Sequence, residues 1–197
     1  MSTEKWLALE EEGGKVFLVQ IVTDTIKIKG LGVFNPTELL AEKQVGETVV
    51  IGQKILTVLT PRLPELYRGM KRRAQTISAK DAGIFITKLG IGPGDVIIEA
   101  GLGSGGLSLH LARVLGNSGT LITVEARDEH AEVGLENLSR AKNCLEEFPM
   151  HHHISGDIVN IAEQVSQISQ GVDGIILDLP NHEAAINAVV ELLNPGG

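Results

Sequence analysis

The apolar positions of this chain follow two different rhythms. In the first part they come as short runs or alternate with polar residues. Val16-Phe17-Leu18-Val19 is a run, and Thr25-Ile26-Lys27-Ile28-Lys29 alternates with period two, as a half-buried strand does. Val49-Val50-Ile51 and Lys54-Ile55-Leu56-Thr57-Val58-Leu59 follow, separated by Gly52-Gln53, and Pro61 and Pro64 end the β pattern. These segments predict a small antiparallel β domain over residues 1–64, too small to be very stable alone.

From Ser78 the rhythm becomes an alternation of helix and strand. Ser78-Ala79-Lys80-Asp81 is a helix start, and that helix is expected to run to Leu89. Val96–Ala100, Thr120–Val124, His152–Ile154 and Gly174–Leu177 read as strands. Helices fall between them: one carries Leu107, Leu111, Val114 and Leu115 up to Gly116, one spans Asp128–Asn143, and one uses Ile161, Val165 and Ile168. A last helix is expected to reach Leu193. Four β-α units in succession predict an α/β fold with a doubly wound parallel sheet over residues 81–197, joined to the β domain by a linker at 65–80. Asn194-Pro195-Gly196-Gly197 forms a turn where another strand is expected, which predicts that the sheet continues in strands beyond this sequence.

Charge changes the picture locally. The net charge of −8 disfavours a polyanion, yet Arg62, Arg68, Lys71, Arg72, Arg73 and Lys80 cluster in and beside the linker with Glu65 the only acid among them. Such a cluster is either a solvated face or an electrostatic footprint for nucleic acid. The single cysteine, Cys144, excludes an internal disulfide and fits a reducing compartment. No apolar run approaches the ~20 residues of a membrane span. Met1-Ser2-Thr3-Glu4-Lys5 does not open a signal peptide, so a cytoplasmic location is expected.

The candidate chemistry centres on Glu99-Ala100-Gly101-Leu102-Gly103-Ser104-Gly105-Gly106, where a strand turns through four glycines into a helix. By spacing, Gly101, Gly103 and Gly106 fit a dinucleotide fingerprint. Glu99 argues against a pyrophosphate, which it would repel, and for a cationic ligand such as S-adenosylmethionine. Ligands of open α/β sheets bind beyond the carboxyl ends of the strands, and here the four strands end in Glu99, Glu125, Asp157 and Asp178. Glu125 lies where an acid grips an adenosine ribose. His151-His152-His153 offers at most two imidazoles to one side of a strand, so no metal site is expected. No Ser-His-Asp or Cys-His arrangement supports covalent catalysis.

The glycine segment resembles the cofactor motif of class I S-adenosylmethionine-dependent methyltransferases, whose sheet is Rossmann-like. Met70-Lys71-Arg72-Arg73-Ala74-Gln75, Lys80-Asp81, Val124-Glu125-Ala126-Arg127 and Leu177-Asp178-Leu179-Pro180 resemble more narrowly the tRNA (adenine-N1)-methyltransferases that modify the T-loop adenine. Lys29-Gly30 with Pro36-Thr37-Glu38-Leu39-Leu40 extends the resemblance into the β domain. It implies that Gly101, Gly103, Ser104 and Gly105 wrap the methionine part of S-adenosylmethionine (S-adenosylhomocysteine after transfer), that Glu125 holds the ribose, and that Asp157 faces the adenine. It also implies that Gln75 lies over the cofactor and that Asp178 stands where the target base meets the methyl group, with tRNA held by basic residues such as Arg68, Lys71, Arg72 and Arg73. A homotetramer is the assembly implied. Two departures stand out: Ser78 occupies a position where the family often has tyrosine, and His182-Glu183 one where it often has Pro-Trp.

Three other readings remain open on the residues. One is a methyltransferase for a small molecule such as a corrin precursor, and another a non-catalytic partner subunit that holds RNA. The third, an NAD-linked dehydrogenase, is opposed by Glu99 and Asp157.

Overall fold

The computed structural model describes residues 5–180 and 182–197. Residues 1–4, where the expected β domain begins, lie outside the described residues. The chain divides into two compact units, Met1–Met70 with Arg140–Glu146, and Lys71–Ser139 with Glu147–Gly197.

The first unit contains β1 (Trp6–Glu11), β2 (Val16–Gln20), β3 (Ile26–Ile28), β4 (Gly32–Phe34), α1 (Pro36–Leu40), β5 (Thr48–Ile51), β6 (Lys54–Leu59) and α2 (Leu63–Gly69). Four strands form an antiparallel sheet in the order β2-β1-β6-β5, and β3 pairs with β4. Leu7, Leu9, Phe17, Val19, Leu40, Leu56 and Val58 make one core. The helix α2 packs on β2 closely enough that a Cβ on Gly69 would come within 2.8 Å of Leu18 Cγ. Trp6-Leu7-Ala8-Leu9 carries no period-two signature, since Leu7, Ala8 and Leu9 are all buried, and so a central strand escapes a search for alternation. α1 begins at Asn35, whose Oδ1 accepts the N–H groups of Thr37 and Glu38, with Pro36 opening the helix.

The second unit contains α3 (Ala79–Leu89), β7 (Val96–Ala100), α4 (Gly106–Leu115), β8 (Thr120–Glu125), most of α5 (Asp128–Cys144), β9 (Met150–Ser155), α6 (Ala162–Ile168), β10 (Gly174–Leu177) and α7 (His182–Val189). Its four strands are parallel, in the order β10-β7-β8-β9. The chain therefore reverses its direction of sheet growth between β7 and β10, the point at which such sheets bind ligands. Each face has its own core. Ile97, Leu107, Leu111, Leu115 and Leu121 pack together on one, and Ile98, Ala100, Ile122, Val124, Ile154 and Val189 on the other. Those central strands are buried on both faces, which is why they read as continuous apolar runs. The register sets Leu177 beside Ala100, Ala100 beside Val124, and Val124 beside Ile154, so all four strands end at one level and their loops open on one edge.

Two elements differ from the sequence reading. Residues 65–69 of the expected linker belong to α2, and the last helix ends at Val189 before a single 3₁₀ turn over Val190–Leu192. Ser78 caps α3 as expected, its Oγ accepting the Asp81 N–H at 3.2 Å and donating to Asp81 Oδ2 at 2.7 Å.

Candidate functional site

A cavity of about 400 Å³ opens at the carboxyl edge of the parallel sheet. Its walls come from the ends of all four strands: Ala100, Gly101 and Gly103 after β7, Val124–Arg127 after β8, Gly156–Val159 after β9, and Asp178–Pro180 after β10. Ala74 and Gln75 close one side. The size suits a nucleoside-sized ligand. A smaller recess of about 20 Å³ adjoins it, lined in part by Gln75, Glu99, Ser104 and Asp178.

The four strand-end acids do converge on this edge, but in different states. Glu125, 5% exposed, receives the Gly103 N–H at 2.9 Å on one oxygen and the Arg127 N–H and Nε at 3.2 Å on the other. Burial alone would raise its pKa, yet these hydrogen bonds and the Arg127 charge outweigh it and hold the carboxyl below the ordinary range. Glu125 is therefore a fixed anion on the cavity wall. The same carboxylate crowds Gly101, where a Cβ would stand 3.1 Å from Oε2, closer than an ordinary contact.

Glu99 stands apart from the other three acids. Its side chain is 2% exposed, it accepts the Ser108 hydroxyl, and it borders only the small recess. Burial pushes its carboxyl up to about 8, against the hydrogen bond from Ser108 and with the negative charge of Asp178 adding to the rise.

Asp157 and Asp178 follow the two outer strands, one on each flank of β7 and β8, and both are exposed and line the cavity. Asp157 caps the short turn Ile158–Asn160, its Oδ1 accepting the Val159 N–H at 3.2 Å. The backbone N–H of Asp178 donates to the carbonyl of Ala100, which extends the β10–β7 pairing and fixes the residue at the switch point. Asp178 faces both the cavity and the recess.

Ser104 and Gly105 take other parts than lining the main cavity. Ser104, 1% exposed, accepts the N–H groups of Arg73 and Ala74, both at 3.0 Å, so its hydroxyl is committed to the linker backbone. Gly105 has φ of 77° and begins α4; a Cβ there would lie 3.2 Å from the carbonyl of Gly134. Gly134, in the middle of α5, fits just as closely, its added Cβ falling 2.6 Å from Leu102 Cγ. Sequence reading missed Gly134 and Asn137, although an isolated glycine within a helical pattern is a signal of close packing.

Among the basic residues, Arg68 donates to Glu10 and Glu65, and Lys71 Nζ lies 2.7 Å from Glu136. Arg72 and Arg73 are exposed. Of the three successive histidines, His151 and His153 share one face and both bond Thr123 Oγ1, at 2.9 and 3.1 Å. Among the described residues no group of acids, histidines or cysteine could hold a metal ion.

A protein-family model described as "tRNA methyltransferase complex GCD14 subunit" matches residues 54–197. The chain belongs to that family. Among its relatives, the tRNA (adenine(58)-N(1))-methyltransferase TrmI of Thermus thermophilus is 32% identical, over 96% of this chain and 71% of that protein. The tRNA (adenine(57)-N(1)/adenine(58)-N(1))-methyltransferase TrmI of Methanocaldococcus jannaschii is 29% identical, over 70% of this chain and 54% of that protein. The chain thus spans little more than half the length of the M. jannaschii relative. Among solved structures, a SAM-dependent O-methyltransferase of Thermotoga maritima matches with a TM-score of 0.76 and 28% identity, over 100% of this chain and 71% of that one. The names of these relatives differ in the atom that receives the methyl group.

Proposed function

We propose that this chain is an S-adenosylmethionine-dependent methyltransferase acting on N1 of a tRNA adenine in the T-loop. The observation that carries the cofactor reading is Glu125: a carboxylate held ionised on the wall of a nucleoside-sized cavity, beside a glycine loop that approaches without side chains. Such a group accepts hydrogen bonds from ribose hydroxyls. Ile158 and Val159 give apolar surface for a purine, with Asp157 at its edge to accept from an exocyclic amine. Gly101 and Gly103 leave room for the amino-acid portion, and Gln75 covers it.

S-adenosylmethionine supplies an electrophilic methyl group on a sulfonium. Asp178, exposed where the cavity meets the recess, is the acceptor-side residue. Its carboxylate accepts a hydrogen bond from the exocyclic amine of the target adenine and offsets the positive charge that N1-methylation creates. Adenine N1 carries its own lone pair, so the protein's task is chiefly to hold that nitrogen in line. The N1 atom lies on the Watson–Crick edge, so the base must be flipped out to reach the site. In this reading the exposed Arg72 and Arg73 meet the phosphates. Among the described residues no helix is long and apolar enough to cross a membrane. A cytoplasmic location, and the homotetramer that the family resemblance implies, are part of this proposal.

The test is to incubate the protein with methyl-labelled S-adenosylmethionine and unmodified tRNA, then separate the nucleosides of the digest. Label in N1-methyladenine is expected. No transfer, or label only in an O-methylated nucleoside, overturns the reading.

A further inference from the structure

One buried side chain joins the basic segment to the glycine loop. Asn137, on α5, is 3% exposed. Its Oδ1 accepts the Lys71 N–H at 3.0 Å, and its Nδ2 donates to the carbonyls of Lys71 at 2.8 Å and Ser104 at 2.9 Å. A carboxamide can bond both backbone polar groups of one residue in this way because it presents a donor and an acceptor side by side. Ser104 continues the attachment, accepting from Arg73 and Ala74 and donating to the Ala74 carbonyl at 3.2 Å. The backbone of residues 71–74 is thereby fastened to the loop while the side chains of Lys71, Arg72 and Arg73 remain exposed. One residue further on, Gln75 lines the cavity, and Ala74 Cβ lies 3.6 Å from the point where a Cβ of Gly103 would stand.

We propose that Asn137 is a positioning residue that couples occupancy of the cavity to the placement of the basic segment Lys71–Arg73. The inference rests on the cofactor and tRNA reading above. A ligand lying against Gly103 and Gln75 stabilises the fastened arrangement, and that arrangement sets the three basic side chains for a polyanion. By linkage the effect is reciprocal: bound polyanion tightens the adenosyl ligand by the same factor.

Trypsin reports on the segment directly, because it cuts after Lys71, Arg72 and Arg73. Cleavage at these bonds is followed by mass spectrometry with and without saturating S-adenosylhomocysteine, and the binding of that ligand is measured by calorimetry. In the unaltered protein the ligand should slow cleavage by about fivefold or more, the lower end of ordinary coupling. In Asn137→Ala, protection should fall below about twofold even when the cavity is saturated. Ser104→Ala attacks the same attachment from the other side and decides the matter if Asn137→Ala fails to fold. The ratio of tRNA dissociation constants with and without the ligand should collapse in parallel. A merely structural loosening raises cleavage equally in both states and leaves the protection ratio unchanged; that result overturns the coupling alone. Absence of ligand binding to the unaltered protein overturns the cofactor reading and the coupling with it.

Discussion

At the centre of the sheet edge, around β7, β8 and the glycine loop, Glu125, Glu99 and Ser104 are buried and committed. Glu125 holds Gly103 and Arg127, Glu99 holds Ser108, and Ser104 holds the backbone of Arg73 and Ala74. At the end of the outer strand β10, on the other flank of that centre from β9, Asp178 stands exposed, its backbone N–H held by the Ala100 carbonyl. The centre is preorganised for a ligand of fixed shape. The β10 flank has the openness needed by a large acceptor that brings its own contacts. Disturbing the centre should therefore damage ligand binding and stability together, and disturbing the flank should damage turnover alone.

The largest effect is expected at Asp178. Asp178→Ala should lower turnover about 10²-fold, the usual cost of removing one preorganised electrostatic partner, while S-adenosylhomocysteine affinity changes much less. Steady-state kinetics beside calorimetry checks this; equal losses in both would erase the distinction between centre and flank. Next comes Gly134→Ala, which forces a methyl group into Leu102 and the Gly103 carbonyl. A loss of about 1–3 kcal/mol in urea unfolding is expected, together with weaker ligand binding.

Glu99 gives a pH-dependent test of the buried centre. Its folded pKa, about 8, lies above the unfolded value of 4.5, so the native state binds the extra proton between them. Its contribution is full below the unfolded pKa and is lost as pH rises toward 8. Glu125 is shifted the opposite way, so its contribution appears above its unfolded pKa and is lost on acidification. Comparing Glu99→Gln with the unaltered protein isolates the first effect: the variant should lose less stability between pH 5.5 and 7.5. Parallel stability curves would mean that Glu99 is not buried as the acid. The smallest effect belongs to Arg73→Ala, which should weaken tRNA binding modestly and reduce the slope of log affinity against log salt by about one. An unchanged slope would remove Arg73 from the phosphate contacts.

The same contrast governs what could be read without coordinates. Parallel strands buried on both faces announce themselves as apolar runs, so Val96–Ala100, Thr120–Val124 and Gly174–Leu177 were legible, and the acids at their ends followed from topology. β1 was not, because burial on both faces of an antiparallel sheet erases the alternation that marks such strands. The protonation state of Glu99 was hidden as well. It depends on Ser108, nine residues away on α4, and on the burial of the carboxyl, neither of which the spacing encodes. Asn137 was invisible for a related reason: its partners at 71 and 104 lie far off in the chain, and nothing in a helical pattern distinguishes an asparagine that faces a loop from one that faces water. Gly134 left the signal of an isolated glycine in a helix, but not which residues it packs against. Ser78 shows the limit of resemblance. It stands where relatives often carry tyrosine, and its hydroxyl is spent on capping α3.

The account turns on the cavity being an adenosyl site built around an ionised Glu125. Titration calorimetry of the full chain with S-adenosylhomocysteine, repeated on Glu125→Gln and with NADH as a rival ligand, tests that claim most directly. Saturable one-to-one binding, weakened about tenfold or more by the substitution and absent for NADH, is the predicted result. No binding of S-adenosylhomocysteine, binding indifferent to Glu125→Gln, or saturable binding of NADH in its place would contradict it.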